Sequence, residues 1–409
     1  MDVTVIVILN IQLIIQILIQ ILIQIIHAMG GATYRFQTPM VMRTKNIEDA
    51  TMKTIIAEVT YKCNLQCKYC CVGNAEDLNF MSDETVINLH LKVSKWNEAG
   101  ETTIIWHGGE PLLAGIDFFK RILEIQKSIP NHKFLNCIQS NGTLLNDTLF
   151  DFFEENEMKI GISLDGLRVA HDINRPYKNG QSSFYDTLYW IKKRKIGGAI
   201  CILNKNTSAY IELIYDFSKE NKIKFKFNPQ NQMGRALIND DLELTNEELT
   251  STYIRLFDLW YQDKREYRAD IDLFDNITNG LIAINNRSEN VIPYNCNFKN
   301  DCQYKFLCVS PNGDLYPCGR FVGEKEFLYG NINEEGEISD KLDNHIRQRF
   351  LERHKGLIEC ESCKYKELCN SGCPHTSYLA YNDIMQKHPL CTVYKKLYEY
   401  IQKKIFPES

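Results

Sequence analysis

From about Met52 onward, short β-branched runs alternate with longer amphipathic stretches, the pattern of repeated βα units around a parallel sheet. Six runs read as strands, at 55–59, 102–106, 134–139, 159–164, 198–203 and 223–227. The intervening stretches 82–98, 116–128 and 145–156 have helical periodicity, and Ser82 and Asn146 are predicted N-caps. Each strand ends in a polar or glycine-rich run: Thr60-Tyr-Lys-Cys, His107-Gly-Gly-Glu-Pro, Ser140-Asn-Gly-Thr, Asp165-Gly and Asn228-Pro-Gln among them. In βα barrels the carboxyl ends of the strands share one face, so these loops are expected to converge on one cavity.

The first loop holds Cys63, Cys67 and Cys70 in a Cys-x3-Cys-x2-Cys spacing that supplies three thiolates and no fourth. A cubane iron–sulfur cluster takes four ligands, so three leave one iron open to bind something else. A zinc knuckle instead needs a second cysteine or histidine pair, and His90 and His107 lack that spacing.

With 409 residues the chain has room for two or three domains. A net charge of −5 gives no sign of a nucleic-acid surface. Fifteen cysteines, an odd number, cannot all pair, which points to a reducing compartment, the cytoplasm. Twelve of the fifteen fall within 63–71 and 296–373, with Cys391 just beyond, a distribution that points to metal. Residues 240–285 read as helical and as a bridge between domains; past Tyr294 the apolar pattern breaks into cysteines and glycines, as in a region folded around metal.

Residues 1–28 form a low-complexity Ile/Gln segment. A helix over 5–26 would be about 33 Å long, enough to span a bilayer. Yet Gln12, Gln16, Gln20 and Gln24 would line one side of it, and no basic residue precedes the apolar stretch as in a signal peptide. Three readings stay open: a membrane or interface anchor, a partner-binding helix, or residues translated from an upstream start, with Met29 or Met40 as the working start. Membrane contact is expected only on the first of these. The stretch between Met29 and the first strand is too short for a separate leader-binding domain, so substrate recognition is expected at the barrel edge, the bridge or a partner.

Over about residues 53–395 the chain resembles the radical S-adenosylmethionine (SAM) enzymes with a SPASM domain, which modify peptides and proteins. The resemblance rests on the Cys63–Cys70 spacing, on Gly108-Gly109-Glu110-Pro111 after the second strand, on Gln139-Ser-Asn141-Gly-Thr143, on Gly161-Ile-Ser163-Leu-Asp165-Gly166 and on Arg175. It implies a partial (β/α)6 TIM-like barrel at 50–235, a helical bridge at 236–290, a SPASM domain at 291–395 and a tail at 396–409. It also implies that Cys63, Cys67 and Cys70 hold a [4Fe–4S] cluster whose open iron chelates SAM. Tyr69 would lie beside the adenine, Gly108, Gly109 and Glu110 beside the methionyl ammonium, Asn141 and Ser163 near the ribose and methionyl portions, and Arg175 at the carboxylate.

Cys296-x5-Cys302, Gly313-x4-Cys318, Cys360-x2-Cys363-x5-Cys369-x3-Cys373 and Cys391 resemble the full SPASM pattern. By that resemblance Cys296, Cys302, Cys318 and Cys373 would bind one auxiliary cluster and Cys360, Cys363, Cys369 and Cys391 a second, three [4Fe–4S] clusters in all. Cys71, Cys137, Cys201 and Cys308 are spare, and default to core or loop residues. The anaerobic sulfatase-maturating enzymes share this arrangement, but there the cysteine matching Cys318 precedes an aspartate proposed as catalytic base, and here Gly319 follows. The catalytic base is therefore unassigned. The expected activity is hydrogen abstraction from a peptide or protein by a SAM-derived radical, installing a crosslink in a ribosomally made peptide, with flavodoxin or ferredoxin as electron donor. Formylglycine formation is the alternative, and a non-catalytic electron carrier the alternative of another class.

Overall fold

The computed structural model describes residues 53–72, 79–98, 100–264, 266, 268–287, 296–298, 302–342 and 344–407. The Ile/Gln segment lies outside them. Six parallel strands run in chain order: β1 (Lys53–Thr60), β2 (Glu101–Gly108), β3 (Lys133–Ser140), β4 (Lys159–Ser163), β5 (Gly198–Leu203) and β6 (Lys224–Pro229). Helices α1 (Asp83–Trp96), α2 (Gly115–Lys127), α3 (Asp147–Glu155), α4 (Arg168–Asn174), α5 (Phe184–Arg194) and α6 (Ile211–Asn221) connect them.

Strand side chains alternate faces, and each strand spends the two faces differently. Ile55, Ala57 and Val59 of β1, Ile104 and Trp106 of β2, and Phe225 and Phe227 of β6 join the apolar core. Their neighbours Ile56 and Glu58, Ile105 and His107, and Lys226 and Asn228 line a cavity on the other face. The core therefore sits between sheet and helices, while the concave side is left for chemistry.

The expected caps are in place: Ser82 Oγ accepts from Thr85 N (3.1 Å) and Asn146 Oδ1 from Leu149 N (2.9 Å). Replacing Asn146 by alanine strips that acceptor from α3 and is expected to lower stability by about 1 kcal/mol, read as a shifted urea midpoint with unchanged slope.

The sheet ends at β6 on one side and extends past β1 on the other. Its order is β6-β5-β4-β3-β2-β1-β7-β8-β9, where β7 (Phe306–Val309), β8 (Asp314–Tyr316) and β9 (Gly330–Asn331) come from the cysteine-rich region. β7 pairs parallel to β1, with Ile56 opposite Cys308 and Ala57 opposite Val309; β8 then returns antiparallel. This pairing carries Cys318, just beyond β8, onto the concave side of β1. The bridge contains helices α7 (Asn246–Gln262) and α8 (Asp272–Asn285). Residues 396–405, read from sequence as a tail, continue helix α8's partner α9 (Cys391–Ile405), whose Tyr400 hydroxyl donates to Asp258 of α7 (2.7 Å).

Candidate active site

The loop of Cys63, Cys67 and Cys70 is held by backbone on three sides. Gly109 N donates to Thr60 O (2.7 Å) and Glu110 N to Lys62 O (2.9 Å). Gln66 N and Lys68 N donate to the carbonyls of Pro176 (2.8 Å) and Asn174 (2.9 Å). From beyond β6, Arg235 N donates to Cys70 O and Arg235 Nε to Cys67 O, both at 2.9 Å. Glycine is required where these segments meet: a Cβ on Gly109 would lie 2.3 Å from Lys62 O, and one on Gly234, at φ +57°, 2.4 Å from Cys70 O. The glycines of the Gly108-Gly109 pair thus admit the cysteine loop itself.

Of the residues expected around SAM, Tyr69, Gly108, Gly109, Asn141, Ser163 and Arg175 line the same cavity of about 470 Å³ as the three cysteines. Arg175 Nη1 donates to the Tyr69 hydroxyl (2.7 Å), which donates to Asp165 Oδ2 (2.6 Å). Arg175 Nε is buried without a partner, a donor available to an anion. Asn141 Nδ2 reaches Asn64 Oδ1 (2.9 Å) and Cys63 Sγ (3.8 Å), and Gln139 donates to Ser163 Oγ (3.2 Å). Glu110 is set back from the cavity. Fully buried, its carboxylate accepts from Leu112 N (3.0 Å), Ser140 Oγ (2.8 Å) and Asn141 N (2.8 Å), so it ties the β2 and β3 loops together.

Cys296, Cys302, Cys318 and Cys373 line the far wall of that cavity, beside Gly319, Arg320 and His375. Cys369, Cys391, Cys360 and Cys363 form a second group, in which burial and then the neighbouring cysteines raise the thiol pKa of Cys369 and Cys391. Arg353 joins the loops between the two groups, donating to Ser371 O (2.8 Å), Gln386 O (2.7 Å), Ile384 O and Ser377 Oγ (3.2 Å). Among the spare cysteines, Cys201 and Cys308 are fully buried, while Cys71 lines the cavity.

Burial pushes the thiols of Cys63, Cys70, Cys318 and Cys369 up to about 12, so binding of iron to these sulfurs would be coupled to proton release. The residues fit an iron–sulfur cluster and SAM. Soft sulfur donors stand along the cavity wall at Cys63, Cys67 and Cys70. The unpartnered Arg175 donor faces the same space.

Glu58 was not singled out from sequence. Its signal was a charged residue inside an apolar strand, five positions before Cys63, on the face opposite Ile55, Ala57 and Val59. It is the one carboxylate among the described cavity-lining residues, and burial pushes it up to about 7 against partial relief from the Tyr61 hydroxyl. For an acid raised in the folded state, the penalty is absent below pH 4.5, grows as the unfolded chain ionises and levels off above about pH 7. Glu58→Gln is therefore expected to stabilise the cluster-free protein by about 3 kcal/mol at pH 8 and by almost nothing at pH 4, measured by urea unfolding at both.

A family model described as the Radical SAM superfamily matches residues 57–217. The cysteine-type anaerobic sulfatase-maturating enzyme of Clostridium perfringens is 29% identical over 369 residues, covering 85% of this chain and 96% of its own. An uncharacterized protein of Methanocaldococcus jannaschii is 36% identical over 306 residues, 70% of this chain and 91% of its own. The structure of native anSMEcpe with bound AdoMet and Cp18Cys peptide superposes with a TM-score of 0.73 at 26% identity, covering 87% of this chain and 99% of that one. Among the described residues no helix is long and apolar enough to cross a membrane.

Proposed function

The chain belongs to the radical SAM superfamily, and from that premise we propose that it is a protein maturase that oxidises the β-carbon of a cysteine side chain in a peptide segment to an aldehyde. The observation that carries this reading is the single cavity shared by the Cys63–Cys70 loop and the Cys318–Cys373 wall, which lets one substrate side chain lie between both sulfur groups. Support comes also from the full-length likeness to a sulfatase-maturating enzyme and to a structure that holds AdoMet and a peptide.

When bound, SAM and the cluster on Cys63, Cys67 and Cys70 supply the radical that removes a substrate hydrogen. The chain's own residues position the reactants: Arg175 offers Nε to the SAM carboxylate, Tyr69 is held by Asp165, and Asn141 orients the loop at Cys63. Cys296, Cys302, Cys318 and Cys373 hold one auxiliary [4Fe–4S] cluster, and Cys360, Cys363, Cys369 and Cys391 a second, on the strength of their grouping. The protein works in the cytoplasm, taking electrons from a flavodoxin or ferredoxin.

A crosslink is the second reading, favoured by Gly319 where the sulfatase-maturating enzymes have an aspartate. Anaerobic incubation of the cluster-loaded protein with SAM, dithionite and a Cys-x-Pro-x-Arg peptide separates the two. Exchange of the thiol for an aldehyde is expected; a peptide that loses two hydrogens and keeps its sulfur shifts the assignment to a crosslink. SAM cleavage with the peptide left unchanged overturns the cysteine oxidation.

A further inference from the structure

We infer that Glu58 is the proton acceptor of the reaction, its carboxylate standing beside the position that a side chain at 319 would take. The assignment rests on the proposed oxidation of a cysteine side chain. A Cβ built on Gly319 lies 3.2 Å from Glu58 Oε1 and 3.4 Å from Ile56 Cγ2. The register of β1 on β7, with Ala57 opposite Val309, brings the two together. Glu58 is 2% exposed, and its Oε2 has no hydrogen-bond partner although it is buried against the cavity.

A buried carboxyl with one oxygen left without a partner is costly. Among the other cavity-lining residues with unpartnered nitrogens, His107 and His375 are the ones whose ring can take up a proton. Burial lowers both, His375 to about 3, whereas Glu58 is raised to about 7, so the carboxylate is the stronger proton acceptor. The titratable groups around it are Tyr61 just past the end of its strand, His107 opposite on β2, Cys308 on β7, Tyr316 on β8 and Cys71, with Arg320 following Gly319.

The substrate CH2–SH loses a hydrogen atom from carbon to the SAM-derived radical, a proton from sulfur to Glu58 and one electron to an oxidised iron–sulfur acceptor. A C–H and an S–H bond break and a C=S bond forms; water then replaces sulfur, which leaves as hydrogen sulfide.

The test compares wild type, Glu58→Gln and the double variant Glu58→Gln with Gly319→Asp, all cluster-loaded, on the Cys-x-Pro-x-Arg peptide. Glu58→Gln is expected to form 5′-deoxyadenosine while aldehyde falls by about 100-fold or more, and the aspartate at 319 to restore part of it. A readout apart from turnover is the infrared carboxyl band of the protein without SAM: it should titrate near neutral pH and vanish in Glu58→Gln. Should Glu58→Gln fail to load iron, Glu58→Asp, which keeps the carboxylate, is expected to retain measurable aldehyde. Aldehyde formation by Glu58→Gln at the wild-type rate, or a Glu58 band that titrates in the ordinary carboxylate range, overturns the assignment and leaves the function intact. A wild-type protein that leaves the peptide unchanged overturns both.

Discussion

Gly109→Ala is expected to abolish SAM cleavage without unfolding the protein. The added methyl would sit 2.3 Å from Lys62 O and 2.6 Å from Tyr61 O. Both are backbone atoms, so no side-chain rotation relieves the overlap. The bonds from Gly109 N to Thr60 O and from Glu110 N to Lys62 O must open, and Cys63 follows Lys62 directly. A displacement of about 1 Å at a reacting centre is enough for a 100-fold loss, and here the first ligand of the loop moves. The measurements are SAM-dependent change in the electron paramagnetic resonance of the reduced protein, and 5′-deoxyadenosine formed. Gly197→Ala is the control, since nothing lies within 4 Å of its added carbon. A Gly109→Ala protein that cleaves SAM at the wild-type rate would show that the loops need no such close approach.

Arg353→Leu should be the most destabilising single change in the cysteine-rich region. The side chain is 5% exposed and its guanidinium donates to the carbonyls of Ile384, Gln386 and Ser371 and to Ser377 Oγ. Leucine leaves several buried acceptors without donors, at about 1–3 kcal/mol each, for a total loss of roughly 4 kcal/mol. Those acceptors flank Cys369, Cys373 and Cys391, so iron content should fall along with thermal stability. Arg353→Lys keeps a cation but not the planar fork, and should recover only part of both. Unchanged melting temperature and iron content in Arg353→Leu would refute this account.

Much of the barrel was legible because helices and strands announce themselves over a few residues. The run at 102–106 lies within β2, and that at 198–203 coincides with β5. The sixth run began one residue early because Ile223 N donates to Ser218 O (2.9 Å) and so closes α6 rather than starting β6. The family resemblance puts Glu110 beside the methionyl ammonium, and the fold adds what its carboxylate accepts from. Its three buried donors come from two different loops, a convergence that no local pattern records.

The amino-acid sequence by itself determined the alternation that builds the sheet and the spacing of the three-cysteine loop, since each depends on one short segment, while the two further cysteine sets follow only from the family resemblance. Only the tertiary structure decided that β7 joins β1, that Gly234 and Arg235 lock the cysteine loop, and that Glu58 lies beneath Gly319. These contacts join residues far apart in the chain, and they follow from strand register and from how closely two backbones approach. Gly319 read alone is a missing carboxylate; in the fold, a Cβ there would lie 3.2 Å from the carboxylate of Glu58.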